Sequence, residues 1–408
     1  ELGGALYVQY TGSGGAEDDY AVRVSGGVQV PVLDLYKVTD QTERMARISK
    51  YLTDLGAYVS SMAAKHSEVH QTSDNLNVKK DYDEKNCILG ATDILLDTMM
   101  LSLPAPQVLN GSKSNAQTLS QSMDAMEEMM YLFYQHKGLN KNAKEAIDQI
   151  PKGHQNIRYQ RMFAGAFMYA SGNHIGIEYG STAGMVSAKP VEADENGRWI
   201  GGQYFGWGIA HEIGHCINQG AYSVAEITNN YFSVLAQAKE DNNSVRFKYY
   251  NEADPRNTVF EKVTSNTKGR ASNVFTQLGM YWQLHLAYDK GYNYKTYEDH
   301  QTQLDSLFFA RVDSYARKPD RAPKPGNVAL TLPGDTDQNL MRLACAAAKK
   351  NLLEFFTRWG MTPDAGTIAY AEQFEKEERA IYYANDEARV YQLTHSGSSG
   401  KNANVLQA

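Results

Sequence analysis

Three short runs of alternating apolar and polar residues, separated by glycine, open the chain: Ala5 to Tyr10, Tyr20 to Val24 and Val28 to Leu33. A period of two puts alternate side chains on one face, so these runs predict strands of a small N-terminal sheet joined by Gly-Ser turns. From about Thr42 the apolar spacing lengthens to that of helices, over Met45 to Ala64, Lys85 to Met100 and Thr118 to His136, with Pro104, Pro106 and Gly111 as punctuation. Strand character returns over Ile157 to Tyr179, where Met162-Phe163-Ala164 and His174-Ile175-Gly176-Ile177 bracket a Ser-Gly-Asn turn. A polar loop, Ala193 to Arg198, follows. Helical patterns dominate after residue 200, with Val274 to Leu286 and Leu340 to Phe356 as long helices and Lys318 to Pro333 as a surface loop between them. No internal repeat emerges. The pattern is that of an α+β protein.

The 408 residues are enough for a large core, and the 21% charged and 11% aromatic content belongs to a folded chain with a polar surface. A net charge of -7, with no cluster of Lys and Arg, argues against a nucleic-acid partner. No run approaches the roughly 18 apolar residues of a membrane span. The three cysteines, Cys87, Cys216 and Cys345, are too scattered for a disulfide framework or a metal knuckle. The chain begins at Glu1, which is expected of a piece of a longer precursor.

One segment carries chemistry: His211-Glu212-Ile213-Gly214-His215, an H-E-x-x-H pattern. On a helix, residues four apart share a face, so both imidazoles reach one metal ion and Glu212 lies beside it. Neutral imidazoles suit Zn2+, and the carboxylate is placed to take a proton from a water. A catalytic zinc needs a third protein ligand. Cys216 adjoins His215 but points about 100° away on a helix, and reads as a structural thiol. Glu226 is the better candidate, on a second predicted helix from Ser223 to Ala238, which would complete a gluzincin arrangement. Ser223-Val224-Ala225-Glu226 also fits a capping box, in which the glutamate only closes the helix start. Asn230, one turn on, could hold Glu226 from behind. Candidate donors to the oxyanion are Tyr281 and His285, one turn apart. His174 to Tyr179 is the candidate edge strand for the substrate backbone, with Gly176 permitting close approach and Asn173 and His174 within reach of polar groups.

Trp207-Gly208-Ile209-Ala210-His211-Glu212-Ile213-Gly214-His215, then Asn218-Gln219 and Ala225-Glu226-Ile227-Thr228-Asn229-Asn230, resemble the core of the enhancin-like zinc metallopeptidases, the M60 family. The residues from Gly3 to Val32, Leu278 to Leu284 and Leu352 to Gly360 resemble weaker flanking segments of the same family. The resemblance implies a gluzincin-type zinc metallopeptidase with His211, His215 and Glu226 as ligands and Glu212 as general base. It implies a β-rich segment over 1–34, a catalytic domain over 35–395 with subregions 35–150, 157–240 and 241–395, and a polar tail over 396–408. It further implies a secreted or cell-surface bacterial enzyme, monomeric within a longer multimodular protein, that cuts O-glycosylated mucin-type glycoproteins beside a glycosylated Ser or Thr. In the glycan-cleaving branch an aromatic precedes the zinc helix, and Trp207 matches it; the indole would stack on a sugar, or else pack the helix start. A general zinc protease, or a glycan-binding adhesion module with a vestigial metal site, are the other readings.

Overall fold

The computed structural model describes residues 6–8, 22–25, 28–72, 90–160, 162, 166–172, 174–193, 199–240, 262–263, 268–271, 273–295, 298–379 and 381. The chain forms an α+β fold of two compact units, residues 1–124 with 153–189 and residues 125–152 with 190–408.

The first unit is built on a six-stranded mixed sheet: β1 (Val32–Asp34), β2 (Ala91–Leu95), β3 (Met99–Pro104), β4 (Gln155–Tyr159), β5 (Met168–Ser171) and β6 (His174–Ile177), in the spatial order β1-β2-β3-β4-β6-β5. Ile94, Leu101, Leu103, Ile157, Ile175 and Ile177 fill its buried positions. Helix α1 (Gln41–Thr72) buries Ile48, Leu52 and Leu55, and its Tyr51 hydroxyl shares a 2.9 Å hydrogen bond with Thr92 of β2. Helix α2 (Ala105–Ser112) carries Pro106 in its first turn, which the fixed φ of proline suits. Helix α3 (Ala116–His136) contains the boundary between the units.

Of the expected N-terminal strands, only β1 forms among the described residues; Ala5, Gln9 and Tyr10 of the first run and Tyr20 and Ala21 of the second lie outside them. The helix expected over Lys85 to Met100 is replaced, where described, by the antiparallel β2–β3 hairpin, with Ala91 opposite Pro104 and Leu95 opposite Met100. Leucine and methionine favour helices locally, but Thr92 and Ile94 alternate with half-buried neighbours, and pairing across the sheet prevails. The helix expected over Leu340 to Phe356 is two, Thr336–Ala348 and Leu353–Arg358. Lys349 ends the first in a left-handed conformation, φ 54°.

His174 to Ile177 does not form an edge. β6 pairs with β4 on one side and β5 on the other, so its backbone is already occupied. Gly176 has a structural reason: a Cβ there would meet the Tyr169 ring at 2.2 Å. The Nε2 of His174 is approached by the Arg158 guanidinium at 3.0 Å and the Tyr169 hydroxyl at 3.2 Å. Burial first, and the Arg158 charge second, lower its pKa, so it is a neutral acceptor inside the sheet. Asn173 lies outside the described residues.

The second unit is mostly helical after residue 200, as the sequence pattern predicts. It contains the hairpin β7 (Lys189–Ala193) and β8 (Trp199–Gln203), all of which but Lys189 lies within it, then α5 (Gly206–Ile217), α6 (Asn230–Lys239) and further helices at Val274–Tyr288, His300–Ser306, Phe308–Arg317, Thr336–Ala348, Leu353–Arg358 and Ala365–Ala371. Side chains cap several of them, as Asn273 does by accepting from Phe275 and Thr276 N–H. Between Lys318 and Pro333 only a 3-10 turn at Pro319–Arg321 is regular.

The Gly176–Tyr169 contact makes a double-mutant test. Gly176→Ala should destabilise the fold by about 1–3 kcal/mol through overpacking. Tyr169→Ala should remove the obstacle, so the pair should cost clearly less than the sum of the two single changes in urea unfolding. Additive costs would show that Gly176 is not there to admit the ring.

Candidate metal centre

Helix α5 begins at Gly206, which takes φ +79°. Ile209, Ala210, Ile213 and Ile217 bury one face in the core. The same periodicity brings His211 and His215 together, one turn apart, with their Nε2 atoms 3.2 Å apart. The helix stops at Ile217, and a run of turns leads to α6. Thr228 ties these turns, its hydroxyl accepting from Val224 N–H at 3.0 Å and donating to Val224 C=O at 3.1 Å.

Glu226 occupies this turn segment, ahead of the second helix, which starts only at Asn230 and not at Ser223. Its φ is +63°, a left-handed backbone that no residue inside an α-helix adopts, so the capping-box geometry does not form. That conformation directs the carboxylate to the histidines. Oε2 lies 3.3 Å from His211 Nε2 and Oε1 lies 3.1 Å from His215 Nε2. One donor atom from each of the three residues falls within 4.8 Å of the others.

Two features hold this geometry. Asn230 Oδ1 is 2.7 Å from His211 Nδ1, and Asn230 Nδ2 donates to the Glu226 carbonyl at 2.7 Å. With the proton on Nδ1 toward Asn230, His211 Nε2 would turn its lone pair toward the carboxylate, the tautomer that a metal ligand requires. Asn230 therefore braces His211 by its ring and Glu226 by its backbone. Gly214 is the second feature. A Cβ there would meet Asn229 O at 2.4 Å and Asn229 Cα at 2.8 Å, so only glycine lets the 226–230 segment approach α5. The sequence carries a signal for it: a glycine inside a helix is unfavourable by about 1 kcal/mol against alanine unless a close approach needs it.

Glu212 is 9% exposed, on α5 with the histidines, and is outside the three-donor group. Cys216 is half-buried; burial and then the Glu212 charge raise its thiol pKa, so it stays protonated and inert. Two imidazole nitrogens and a carboxylate oxygen are the donor set of a three-ligand zinc site with one corner left for water or substrate, so these residues fit a zinc ion.

The remaining candidates are placed elsewhere. Trp207 is only 8% exposed; its ring packs edge-on to Phe275, 6.0 Å between centroids, and its carbonyl accepts from Ser233 Oγ. It packs the start of α5, and the indole has little face to offer a sugar. Tyr281 is 1% exposed, and its hydroxyl accepts from Arg270 at 3.2 Å. His285 stacks on Trp282 and is engaged by Tyr231 and Asp289. Neither presents a free donor for an oxyanion. Both hydrophilic tips are legible as polar groups on a helix; Arg270, just before that helix, takes up Tyr281, while Trp282, Asp289 and the remote Tyr231 enclose His285.

The profile of the peptidase M60 family, enhancin and enhancin-like, matches residues 90–360. The chain belongs to that family. Among solved structures, the M60 chain is similar to the catalytic module of the metalloprotease ZmpA from Clostridium perfringens, at TM-score 0.61 and 19% identity, covering 91% of this chain and 59% of that one. It is similar to the ZmpB metallopeptidase of the same organism, at TM-score 0.57 and 21% identity over 88% of this chain and 59% of that one. The M60 catalytic domain of its ZmpC, in complex with the sialyl T antigen, gives TM-score 0.58 and 19% identity over 92% and 61%. The chain thus spans about three fifths of the length of these structures. No curated protein matches it.

Asn230→Ala should weaken zinc binding by about 10–100-fold in competition with a fluorescent chelator, with the circular dichroism spectrum retained. Unchanged affinity would remove Asn230 from the support of the ligands.

Proposed function

We propose that this M60 chain is a zinc-dependent endopeptidase acting outside the cell on O-glycosylated, mucin-like protein, cutting the backbone beside a glycosylated Ser or Thr. The observation that carries the peptidase reading is the convergence of His211, His215 and Glu226 on one point, with Glu212 on the same helix as both histidines. The glycan part is supported by the sialyl T antigen in the related ZmpC domain. A related ZmpB structure in which two CBM32 domains accompany the M60 catalytic domain supports a place within a longer, multimodular protein.

His211 and His215 through Nε2, and Glu226 through its carboxylate, would hold the zinc. When bound, the ion supplies a Lewis acid that polarises the scissile carbonyl and acidifies a water. Glu212 is the proton carrier. Its carboxylate takes the proton of the attacking water and returns it to the nitrogen of the leaving amine, so the expelled group departs neutral. Its burial on α5 limits the hydration that would compete for that proton. His211 is oriented by Asn230, and Glu226 contributes the carboxylate of the ligand set.

Two measurements test this. Glu212→Gln should keep one equivalent of zinc at this site while turnover falls about 10²–10⁴-fold; more than a tenth of the wild-type rate would end the assignment of the base. Mass spectrometry of products from a defined O-glycopeptide and its bare counterpart should show cleavage of the first only, next to the glycosylated residue. Equal cleavage of both makes the enzyme a general zinc protease, and cleavage of neither, with zinc bound, rejects the peptidase reading on these substrates.

A further inference from the structure

A second set of donors converges in the helical unit. His136 lies at the C-terminal end of α3, and His285 and Asp289 lie four residues apart at the end of the Val274–Tyr288 helix. One atom from each falls within 4.8 Å of the others. The Tyr231 hydroxyl, from α6, is 3.0 Å from His136 Nδ1 and 2.9 Å from His285 Nδ1. Asp289 Oδ2 is 3.0 Å from His285 Nδ1. These spacings are close to the 3.1–3.3 Å between donors in the first centre.

The outward atoms are anchored. His136 Nε2 bonds the Tyr294 hydroxyl at 2.9 Å, and Asp289 Oδ1 accepts from Phe308 N–H at 2.7 Å. Ligands of metal ions are commonly braced in this way from behind. The inward Asp289 Oδ2 is buried and meets no hydrogen-bond partner of good geometry, with His285 Nδ1 3.0 Å away. A buried carboxylate oxygen left so is costly unless a cation meets it.

We propose that His136, His285 and Asp289, with the Tyr231 hydroxyl at the fourth corner, form a second metal site, for a divalent transition ion of the zinc type. Four protein donors close the shell and leave no corner for water, so the ion is structural and ties α3, α6 and the Val274–Tyr288 helix together. Tyr231 follows Asn230 in sequence, so the same ion would fix the start of the helix that braces the first centre.

The test uses the full chain, stripped with chelator and titrated with Co2+, whose visible bands and equivalence point report each site. Wild type should take two ions, His211→Ala/His215→Ala one, and Asp289→Asn one. The His211→Ala/His215→Ala protein should also gain melting temperature on adding Co2+ or Zn2+. One ion in wild type, retained in Asp289→Asn, overturns the proposal and leaves the cluster a hydrogen-bonded relay. One ion in wild type that is lost only in Asp289→Asn supports it and fails the first centre instead. Because the wild-type and Asp289→Asn stoichiometries decide alone, misfolding of the double variant does not spoil the result.

Discussion

The candidate centre depends on one close approach, the backbone of Asn229 against Gly214. A methyl group at 214 would have to occupy space 2.4 Å from a backbone oxygen, which a rotamer change cannot relieve. With glycine there, the segment between α5 and α6 packs closely on α5. Only then does the left-handed turn at Glu226 deliver its carboxylate to both imidazoles. A non-glycine residue in that conformation costs roughly 1–2 kcal/mol. The Asn230 bond to the Glu226 carbonyl and the Thr228–Val224 bonds hold it there. The local strain is thus tied to ligand geometry, which is where strained backbone tends to persist.

How far the sequence revealed this follows from how local each feature is. His211 and His215 belong to one helix, so their shared face follows from periodicity alone. Glu226 was recognisable by its chemistry and its distance from the motif, but its φ was not, since nothing in Ser223 to Asn230 requires a positive φ at a glutamate. The β2–β3 hairpin was obscured because Leu and Met fit helices in isolation, and the pairing that decides the matter comes from β1 and β4, more than fifty residues away on each side. Trp207 shows the same limit on the site. A tryptophan before a zinc helix reads equally as sugar platform or as packing, and Phe275, remote in sequence, is what encloses it.

The helical unit also buries an unusual amount of polar chemistry. Lys137 pairs with Asp313 at 2.6 Å, and Tyr222 donates to the same carboxylate at 2.7 Å. Asp148 is met by Arg317 and Arg321 at 2.9 and 2.6 Å, which outweigh its burial and lower its pKa. Such pairs add little net stability over apolar packing, but removing one partner strands the other charge. Their use is geometric: each ion pair admits few arrangements of the helices that supply it, where an apolar contact tolerates sliding.

That geometric role bears on the metal centre through α6. Its first turn carries Asn230, bonded to His211, and Tyr231, bonded to His136 and His285. Adjacent helical residues point about 100° apart, so one residue faces α5 while the next faces the buried histidine cluster. A small rotation of α6 would break both sets of bonds at once. The histidine cluster, whichever atoms complete it, therefore restrains the same helix start that positions the ligands, and the precision of the His211–Glu226 pair is inherited from packing on the far side of α6 as well as from the contact with Gly214.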